Sequence, residues 1–373
     1  MNILVFSWRD PKHPLAGGAE QVMHEHMKGW IGAGHEVTFF SSRFRNSKSQ
    51  EDLDGVRIVR GGYQYLGVQL SAFVYYVWNR ERFDLVVDQF HGIPFFTPLY
   101  IRKPKLAVIQ EVARRVWMLN PLPKPLNWIV GLVGFLGEPF VFLFYKRVKF
   151  MTGSNSAKLD LIRYGISERN IHVVAHGVIL VKPQNKPVRE KVKTVLFLGV
   201  HSKDKGVEDA IRTFKLLEER GNYQFWTVGK FETSEFEKYL MNRVAELEME
   251  RKIKFWGWVS QKKKFELLGR AHVMLNPSVM EGWGLVNVEA SAMSTPVISY
   301  NSPGLVDSVS NGKSGIVVDS NCPQSLAGAV KDLLDSPNKY EQMCKESLGW
   351  SKRFSWETSR SESLELIENL GKT

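Results

Sequence analysis

Two glutamates, Glu281 and Glu289, stand eight residues apart in the stretch NPSVMEGWGLVNVEASAMSTPVISY, on either side of a Gly-Trp-Gly turn. Carboxylates in a largely apolar segment are costly to bury unless polar groups pair with them. One unbroken helix would not align the two, because at about 100° per residue their positions differ by roughly 80°. We therefore expect Glu281 on a loop and Glu289 on the helix that follows, each contacting a different part of one extended polar ligand. A cis-diol suits Glu289, because a carboxylate accepts two hydroxyl hydrogen bonds.

Three other turns carry residues that suit a phosphorylated ligand. Gly17 and Gly18 precede a helix, where glycines let an anion approach backbone N–H groups, although a plain turn has the same pattern. The pattern is GGxE rather than GxGxxG, which argues against a nicotinamide dehydrogenase. Gly199 is followed by Lys205 at another helix start, where a diphosphate would meet a fixed cation; a solvated lysine is the alternative. A lone histidine is more often structural, but His91 follows a strand, and that position favours contact with substrate.

Short apolar runs typical of strands alternate with longer amphipathic runs along the whole chain. This alternation predicts an α/β protein built from parallel βαβ units, whose sheets are covered by helices on both faces. Ligands of such sheets bind at the carboxyl ends of the strands, where the candidate residues lie. The predicted strands are 2–8, 36–42, 56–61, 84–90, 105–111 and 148–154, followed by 193–200, 223–229, 252–259, 272–278, 295–301 and 314–320.

The chain has 373 residues, which is too long for one ordinary core, and the strand pattern starts again in the second half. We predict two Rossmann-like domains, 1–182 and 190–355, that face each other across a cleft. The polar stretch 180–193, which contains two prolines, is the predicted linker. The tail is predicted to form one amphipathic helix over 356–371.

The composition, 43% hydrophobic and 24% charged, is that of a folded globular protein. The two cysteines, Cys322 and Cys344, do not form a CxxC pair, which argues against a disulfide framework or a zinc site and favours a reducing compartment. The apolar start MNILVFSW is short and is followed at once by Arg9 and Asp10, so we interpret it as a first strand rather than a secretory signal.

The net charge of +11 is concentrated in residues 102–149, where nine Lys/Arg against two glutamates give +7. This segment includes the apolar run Leu126 to Phe150, which Glu138-Pro139 is expected to interrupt, so that neither piece reaches the roughly 20 residues of a spanning helix. Basic flanks around apolar residues favour an interfacial segment on an anionic membrane surface; a buried helix pair with a basic rim is the alternative. Nucleic acid is not an expected partner, because no compact motif combines stacking aromatics with regularly spaced Lys/Arg.

Together these motifs resemble those of the retaining glycosyltransferases of the GT-B fold, in the large family 4 that includes glycogen synthase-like and mannosyltransferase-like enzymes. The resemblance covers nearly the whole chain and rests on AGGAEQVMHEHMKGWIGAGHEVTFFSS, GSNSAKLDLIRYGISERNIHVVAHGV, LFLGVHSKDKGVEDAI, FWGWVSQKKKFELL, NPSVMEGWGLVNVEASAMSTPVIS and NGKSGIVV. It implies a nucleotide-diphosphate sugar donor, no cofactor, no required metal and retention at the anomeric carbon. It also implies a last helix that crosses back to the first domain.

The resemblance assigns a role to each candidate residue by matching motif. His91 would contact the transferred sugar, Lys205 would neutralise the diphosphate leaving group, Glu281 would hold sugar hydroxyls near the reacting carbon, and Glu289 would bind the ribose. The implied catalytic residues are thus His91, Glu281 and Lys205, and the implied donor-binding residues are Gly17, Gly18, Gly199, Lys205, Gly282, Trp283, Gly284, Leu285 and Glu289.

One departure from the family pattern affects the diphosphate site. The family usually has arginine directly after the glycine at Gly199, but here the residue is Val200, and His201 and Lys203 are the candidates to replace the missing cation. The leading hypothesis is hexose transfer from a GDP- or UDP-linked sugar to a hydroxyl acceptor, a lipid-linked glycan or glycolipid at the cytoplasmic membrane face. The alternatives are a nucleotide-sugar epimerase or hydrolase of the same fold, and a non-catalytic nucleotide-sugar-binding or membrane-binding protein.

Overall fold

The chain forms two compact units, each built on a mainly parallel β-sheet. The computed structural model describes residues 1–64, 67–120, 122–178 and 187–372, and at Arg115 the backbone alone. The first unit comprises Met1–Trp117, Val130–Gly177 and Ser355–Thr373, and the second comprises Met118–Ile129 and Val178–Phe354. The first half of the linker predicted over 180–193, residues 180–186, lies outside the described residues, so the boundary stays a prediction.

The first unit contains, within the described residues, an eight-stranded sheet in the order β3-β4-β2-β1-β5-β6-β7-β8. Its strands are β1 (Asn2–Phe6), β2 (Glu36–Arg43), β3 (Gln50–Leu53), β4 (Val56–Tyr63), β5 (Leu85–Gln89), β6 (Lys105–Val108), β7 (Lys149–Thr152) and β8 (Ile171–Val173). All neighbouring strands pair in parallel except β3 and β4, which form an antiparallel hairpin. Its helices are α1 (Gly18–Gly32), α2 (Val68–Asn79), α3 (Leu126–Tyr145) from residue 130 onward, α4 (Asn155–Arg163) and, from the chain end, α12 (Trp356–Gly371).

The C-terminal helix α12 packs on α1 in the first unit, as the predicted return of the last helix to the first domain requires. The indole of Trp30 donates to the Ser363 hydroxyl at 3.1 Å, and Arg360 forms an ion pair with Glu25. Ile367 of α12 lies in the core with residues of β1 and β5. A segment more than 300 residues from α1 in sequence therefore completes the first unit.

The second unit contains, among its described residues, a six-stranded parallel sheet in the order β11-β10-β9-β12-β13-β14. Its strands are β9 (Lys193–Leu198), β10 (Tyr223–Val228), β11 (Ile253–Phe255), β12 (Val273–Asn276), β13 (Val297–Ser299) and β14 (Gly315–Val317). Its helices are α5 (Val207–Glu218), α6 (Ser234–Glu246), α7 (Gln261–Arg270), α8 (Leu285–Ala292), α9 (Leu305–Ser308), α10 (Pro323–Leu334) and α11 (Pro337–Ser351). Thr233 and Ser260 cap α6 and α7 through side-chain oxygens that accept a backbone N–H.

Helix α3 differs from its prediction. It is one continuous helix through Pro139, and the interruption expected at Glu138-Pro139 is wrong. The Glu138 carboxylate is buried and accepts the backbone N–H groups of Ala113 and Arg114, each at 2.8 Å, which fixes the middle of the helix to the first unit. By length and composition alone, α3 could cross a membrane. The alternative of a buried helix pair is also wrong, because there is one helix and most of its apolar side chains are exposed.

Candidate active site

Lys205 and Glu281, both predicted to act on the donor, contact each other in the second unit. They follow β9 and β12, which are adjacent parallel strands, so their loops leave the sheet at the same edge. The Lys205 Nζ lies 3.0 Å from Glu281 Oε1, and the Ser278 hydroxyl donates to the same carboxylate oxygen at 2.9 Å. Asp204 lies 3.5 Å from the lysine nitrogen. A fixed cation and two carboxylates thus lie at the carboxyl edge of the sheet, where ligands of this fold class bind.

Two glycines allow the close backbone contacts that hold this pair. Gly206 has φ +70°, and a Cβ there would lie 2.2 Å from the Pro277 carbonyl oxygen. Gly304 has φ +77°, and a Cβ there would lie 2.0 Å from the carbonyl oxygen of Glu281. Any larger residue at either position would displace the loop that carries Glu281. Our sequence reasoning did not identify Gly304, because no local pattern shows which backbone it meets.

A buried polar network connects the end of β12 to α8. The Asn276 side chain donates to Asn287 at 2.8 Å, and Asn287 donates to the Ser308 hydroxyl at 2.9 Å. The backbone N–H of Ser278 also donates to the Asn276 side-chain oxygen at 3.3 Å. Sequence reasoning missed these residues, although an asparagine inside the apolar helix stretch LVNVEASA was a detectable signal.

Glu289 has a lysine partner that the sequence did not reveal. Helix α8 begins at Leu285 as predicted, and Glu289 is buried on it. Lys264 on α7 places its Nζ 2.5 Å from Glu289 Oε1. Burial raises the pKa of Glu289, and the adjacent lysine opposes that rise. The two glutamates therefore have different cations, Lys205 for Glu281 and Lys264 for Glu289, which pair both carboxylates without any ligand.

In the Gly282–Leu285 turn, the groups that could bind a ligand are mainly backbone N–H groups. Gly284 directly precedes α8 with φ +87°, so the first N–H groups of the helix follow it. Such groups have no acceptor within their own helix and suit an anion. The Trp283 ring is buried in an edge contact with Phe354, with centroids 5.1 Å apart. Its side chain therefore packs inside the second unit, and the donor contact predicted at this position stays a prediction.

The candidates for the missing arginine differ in charge. Gly199 directly follows β9 and Val200 is half-exposed, whereas His201 is fully buried between Phe197 and Phe231, with ring centroids 5.7 and 4.7 Å away. Burial lowers the pKa of His201 to about 4, so its ring is neutral at pH 7. Lys203 is exposed on the same loop. Of these two residues, Lys203 is therefore the one that carries charge at neutral pH.

A cavity of about 480 Å³ lies beside this loop, where β10 and β11 end. Its lining includes His201, Gly229, Lys230, Glu232, Gly257 and Trp258. The Trp258 ring is largely exposed, with the Lys230 ammonium 5.7 Å from its centroid. Burial and the nearby Asp204 raise the pKa of Glu232. An exposed indole and a carboxylate on the walls of one cavity can stack on and hydrogen-bond a planar heterocycle. Sequence reasoning did not identify this cavity.

In the first unit, the glutamate of the GGxE pattern fixes the glycine loop. Gly17 directly precedes α1 and Gly18 is the first residue of that helix. The Gly17 N–H donates to one carboxylate oxygen of Glu20 at 2.7 Å, and Arg9 donates to the other at 2.9 Å. Glu20 is thus a positioning residue for the helix start, a role that was not assigned from the sequence.

His91 lies at the same edge of the first sheet as the glycine loop. It follows β5, which pairs with β1, and the Gln89 side chain donates to the Ala19 carbonyl at 3.1 Å. The His91 ring is half-exposed, and its Nδ1 lies 3.7 Å from a carboxylate oxygen of Glu111, which follows β6. His91, Gly17 and Gly18 therefore share a loop region of the first unit, whereas Lys205, Glu281 and Glu289 belong to the second unit.

Among the residues that the structure describes, no group of three or more His, Cys, Asp or Glu is placed to hold a metal ion. The predicted absence of a metal requirement stays a prediction.

Two protein-family models match the chain. Residues 180–349 match the model described as glycosyl transferases group 1, and residues 16–182 match the model described as glycosyltransferase family 4. The two matched regions correspond to the second and first predicted domains, and they contain every candidate residue.

The chain is also similar to two bacterial D-inositol 3-phosphate glycosyltransferases. It is 29% identical to the one from Corynebacterium aurimucosum over 396 residues, covering 95% of this chain and 90% of the relative. It is 32% identical to the one from Corynebacterium urealyticum over 133 residues, covering 36% of this chain but only 31% of that relative. In the second case the match spans less than a third of the relative's length.

Among solved structures, Anabaena Alr3699/HepE in complex with UDP-glucose has the same fold, with a TM-score of 0.74 at 17% identity. The match covers 99% of this chain and 100% of that chain. Together with the two parallel sheets, this likeness confirms the predicted α/β architecture of the GT-B type.

Proposed function

Because the chain belongs to the group 1 and family 4 glycosyltransferases, we propose that it transfers a hexose, with retention, from a GDP- or UDP-linked donor to a hydroxyl acceptor. The observation that carries the proposal is the contact between Lys205 and Glu281, 3.0 Å apart at the carboxyl edge of the second sheet. A cation that suits a diphosphate thus lies beside an acceptor that suits sugar hydroxyls. Because the sugar and the diphosphate of a donor are joined by one bond, groups that bind them are expected to lie close together.

In the proposed reaction, Lys205 stabilises the charge that develops on the departing diphosphate. The bond between the anomeric carbon and the phosphate oxygen breaks, and the acceptor oxygen forms its bond on the same face. The acceptor proton passes to the leaving diphosphate oxygen. Glu281 accepts hydrogen bonds from hydroxyls of the transferred sugar, replacing part of its contact with Lys205. For His91 we keep the role that the family resemblance implies, which is contact with the transferred sugar.

Glu289 is the proposed partner of the donor ribose. Its lysine partner, Lys264, favours the ionised carboxylate in a buried position, and an ionised carboxylate accepts both hydroxyls of a cis-diol. The backbone N–H groups after Gly284 and the exposed cation of Lys203 are the proposed additional contacts of the diphosphate. No cofactor and no metal enter this scheme.

We place the donor base in the cavity of about 480 Å³ at the ends of β10 and β11. Trp258 offers a stacking surface, and Glu232 accepts from base N–H groups. Guanine presents two adjacent donors to a carboxylate, whereas uracil presents one. Glu232 therefore favours a GDP-linked donor over a UDP-linked one, although the Anabaena neighbour was solved with UDP-glucose.

The proposed acceptor is a lipid-linked glycan or glycolipid, and the proposed location is the cytoplasmic face of the cell membrane. Support comes from the segment 102–149, where a net charge of +7 coincides with the exposed apolar helix α3. A basic and apolar surface suits peripheral attachment to an anionic bilayer.

A donor panel tests the proposal. GDP- and UDP-linked hexoses are incubated with the protein alone and with lipid extracts, and released nucleotide and labelled lipid are measured. We expect label transfer to lipid, with nucleotide release that depends on the extract. Conversion of the donor without acceptor would instead show an epimerase or hydrolase, and donor binding without turnover would show a non-catalytic protein.

A further inference from the structure

Two helices of the first unit expose no charged side chain. Helix α2, VQLSAFVYYVWN, contains no charged residue, and the one charged residue of α3, Glu138, is buried. On α2 the outward positions recur at helical spacing and include Leu70, Val74 and Trp78, the last of them 83% exposed. A surface helix of a water-soluble domain normally presents a polar outer face. Both helices depart from this rule.

The same face of the first sheet carries both helices. Phe6, Asp88, Ala107 and Phe150 are paired in register across β1, β5, β6 and β7, so their side chains point to one face. Helix α2 packs on this face through a cluster that contains Phe6, and α3 packs on it through a cluster that contains Ala107 and Phe150. Helices α1 and α12 pack with the alternate residues of the same strands, on the opposite face.

The segment 93–101 fills the space between α2 and α3. The Phe73 ring of α2 contacts Tyr100 with centroids 5.0 Å apart, and Phe96 contacts Phe144 of α3 with centroids 6.1 Å apart. Leu99 in this segment is 62% exposed. We call α2, residues 93–101 and residues 130–145 of α3 the apolar platform. The apolar residues of this platform are contiguous. Single exposed apolar residues are normal on a protein surface, whereas a large contiguous apolar patch marks an interaction site.

A row of basic residues borders the apolar platform at one edge of the sheet. Pairs of them precede β5, β6 and β7, which are neighbouring parallel strands, so all lie near the amino ends of these strands. We call this row the basic edge: Arg80, Arg82, Arg102, Lys103, Lys146 and Arg147. The acidic residues in the same turns are Glu81 and Asp84. The edge is therefore net positive beside an apolar surface.

We propose that the apolar platform inserts into the interfacial layer of a lipid bilayer, with the basic edge on anionic head groups. Apolar burial, rather than charge alone, then supplies most of the attachment. This proposal extends the membrane location proposed above but does not depend on the transferase activity. A second copy of the chain would cover the apolar residues equally well, but it would bring another net positive edge where a bilayer supplies negative charge.

Helix α3 lies in the interface in this proposal and does not span the bilayer. Its inner side is bound to the first unit, because Glu138 accepts two backbone N–H groups and the Tyr145 hydroxyl donates to buried Asp88 at 2.5 Å. Phe142 lies in the same core cluster as Phe150. A spanning orientation would remove all three side chains from these contacts.

The test uses vesicle co-sedimentation of the full chain and two polar variants of the apolar platform. One variant carries Leu70→Gln, Val74→Gln and Trp78→Gln, and the other carries Leu132→Gln, Leu136→Gln and Phe140→Gln. The control carries Tyr239→Gln and Met241→Gln, which replace two exposed apolar residues on α6 of the second unit. Vesicles are neutral phosphatidylcholine, alone or with phosphatidylglycerol, in about 0.1 M and about 1 M salt, where the Debye lengths are about 10 and 3 Å.

We expect the wild-type chain to bind the anionic vesicles best and to retain most of its binding at high salt. Each polar variant should lose about tenfold or more in partition at both salt concentrations, and the control should match the wild type. Glutamine at all six basic-edge positions should weaken binding at low salt only. Loss of wild-type binding at high salt, or polar variants that bind like the wild type, would overturn the proposal.

Three further readouts separate interfacial insertion from dimerisation, from a spanning α3 and from a general loss of folding. Dimers that become monomers in the polar variants, without vesicle binding by the wild type, would show that a second copy covers the surface. Resistance of the bound protein to alkaline extraction would show a spanning α3, and either result overturns the proposal. Thermal unfolding and the binding of GDP- and UDP-linked donors in solution should stay unchanged in the variants, so failure of membrane binding and failure of the proposed donor site are separable.

Discussion

Helices α2 and α3 of the first unit and helices α5 and α6 of the second present different surfaces to solvent, although each pair packs on a mainly parallel sheet. On α5 and α6 of the second unit the outer positions carry ion pairs, such as Glu208 with Arg212 at 2.6 Å and with Arg243 at 3.4 Å. On α2 and α3 of the first unit they carry leucine, valine, phenylalanine and tryptophan. Packing on a sheet constrains only the inner stripe of a helix. The outer face of a helix therefore reflects what it meets, which is water for α5 and α6 and, by our proposal, lipid for α2 and α3.

The carboxylates of the candidate site differ in their partners from two buried carboxylates beneath the apolar platform. In the second unit Glu281 and Glu289 each pair with a lysine. In the first unit Asp88 accepts from the hydroxyls of Thr97 and Tyr145, and Glu138 accepts from backbone N–H groups. Burial raises the pKa of both first-unit acids. A lysine can exchange its carboxylate for a ligand phosphate, whereas neutral donors hold their acid in place, so the first pattern suits a binding site and the second suits a scaffold.

The largest predicted effect comes from removing one negative charge from the candidate site of the second unit while the apolar platform of the first unit stays unchanged. Glu281→Gln keeps the side-chain shape but removes the negative charge beside Lys205. We expect turnover to fall about 10²–10³-fold, as for other groups that stabilise transition-state charge, with little change in melting temperature or vesicle binding. Turnover, thermal unfolding and co-sedimentation are measured on one preparation. Glu341→Gln, exposed on α11, is the matched control. Equal loss of activity and stability would show that Glu281 is structural.

The second prediction concerns the buried pair beside it. Lys264→Met leaves Glu289 buried without its cation, so the pKa of Glu289 should rise further and the free energy of unfolding should fall by about 3 kcal/mol. Donor affinity should fall as well, because a protonated carboxyl group accepts less well from the ribose hydroxyls. Denaturant unfolding and donor titration measure the two effects. Lys262→Met, exposed on the same helix, should change neither. An unchanged stability of Lys264→Met would contradict the pairing.

The architecture was predictable because buried parallel strands are continuous apolar runs between turns. Each predicted strand is present, and β3 and β8 were missed for physical reasons. Strand β3, QEDL, has no apolar signal because it forms an edge hairpin, and β8 has only three residues at the other edge. Pro139 suggested an interruption of α3. The helix continues there, and the adjacent Glu138 accepts two hydrogen bonds from the backbone of a loop 24 and 25 residues earlier in the sequence. Tertiary contacts thus overrode the local rule.

The candidate site was predictable where it depends on motif and not where it depends on packing. The sequence analysis placed Lys205 and Glu281 in turns after two predicted strands. It gave no strand order, and the structure shows that the two lie together because the adjacent strands β9 and β12 deliver both loops to one edge. The Lys264–Glu289 pair joins two helices, and no spacing in the sequence distinguishes Lys264 from its two lysine neighbours. The neutral state of His201 likewise follows from the rings that surround it in the fold.

The third prediction tests whether acid weakens the second unit through a buried neutral histidine. The folded-state pKa of His201 is about 4, below its ordinary 6.5, because burial disfavours the charged ring. Its stabilising contribution is therefore fully present above pH 6.5 and is lost as pH falls from 6.5 towards 4, by about 2 kcal/mol at pH 5. His201→Phe should remove the part of the pH dependence that comes from protonation of His201. The free energy of unfolding should then decline less steeply between pH 7 and 5 than in the wild type. Parallel pH profiles for the two proteins would contradict the assignment.

The smallest predicted effect concerns the cavity at the ends of β10 and β11, where we proposed that the donor base binds. Glu232→Gln replaces one carboxylate oxygen by an NH₂ group, which repels the guanine N–H donors but leaves Trp258 available for stacking. We expect the preference for GDP-linked over UDP-linked donor, measured as the ratio of kcat/KM values, to fall about tenfold, which corresponds to about 1.4 kcal/mol.

The same variant should leave vesicle binding unchanged, because the apolar platform belongs to the first unit. Glu235→Gln, on the first turn of α6 and outside the cavity lining, is the control and should keep the wild-type ratio. If Glu232→Gln lowers kcat/KM equally for both donors, the carboxylate contacts a part of the nucleotide that the two donors share, and the cavity does not select the base. If kcat/KM changes for neither donor, the base lies elsewhere. The proposed donor site of the second unit then rests on the two lysine–glutamate pairs.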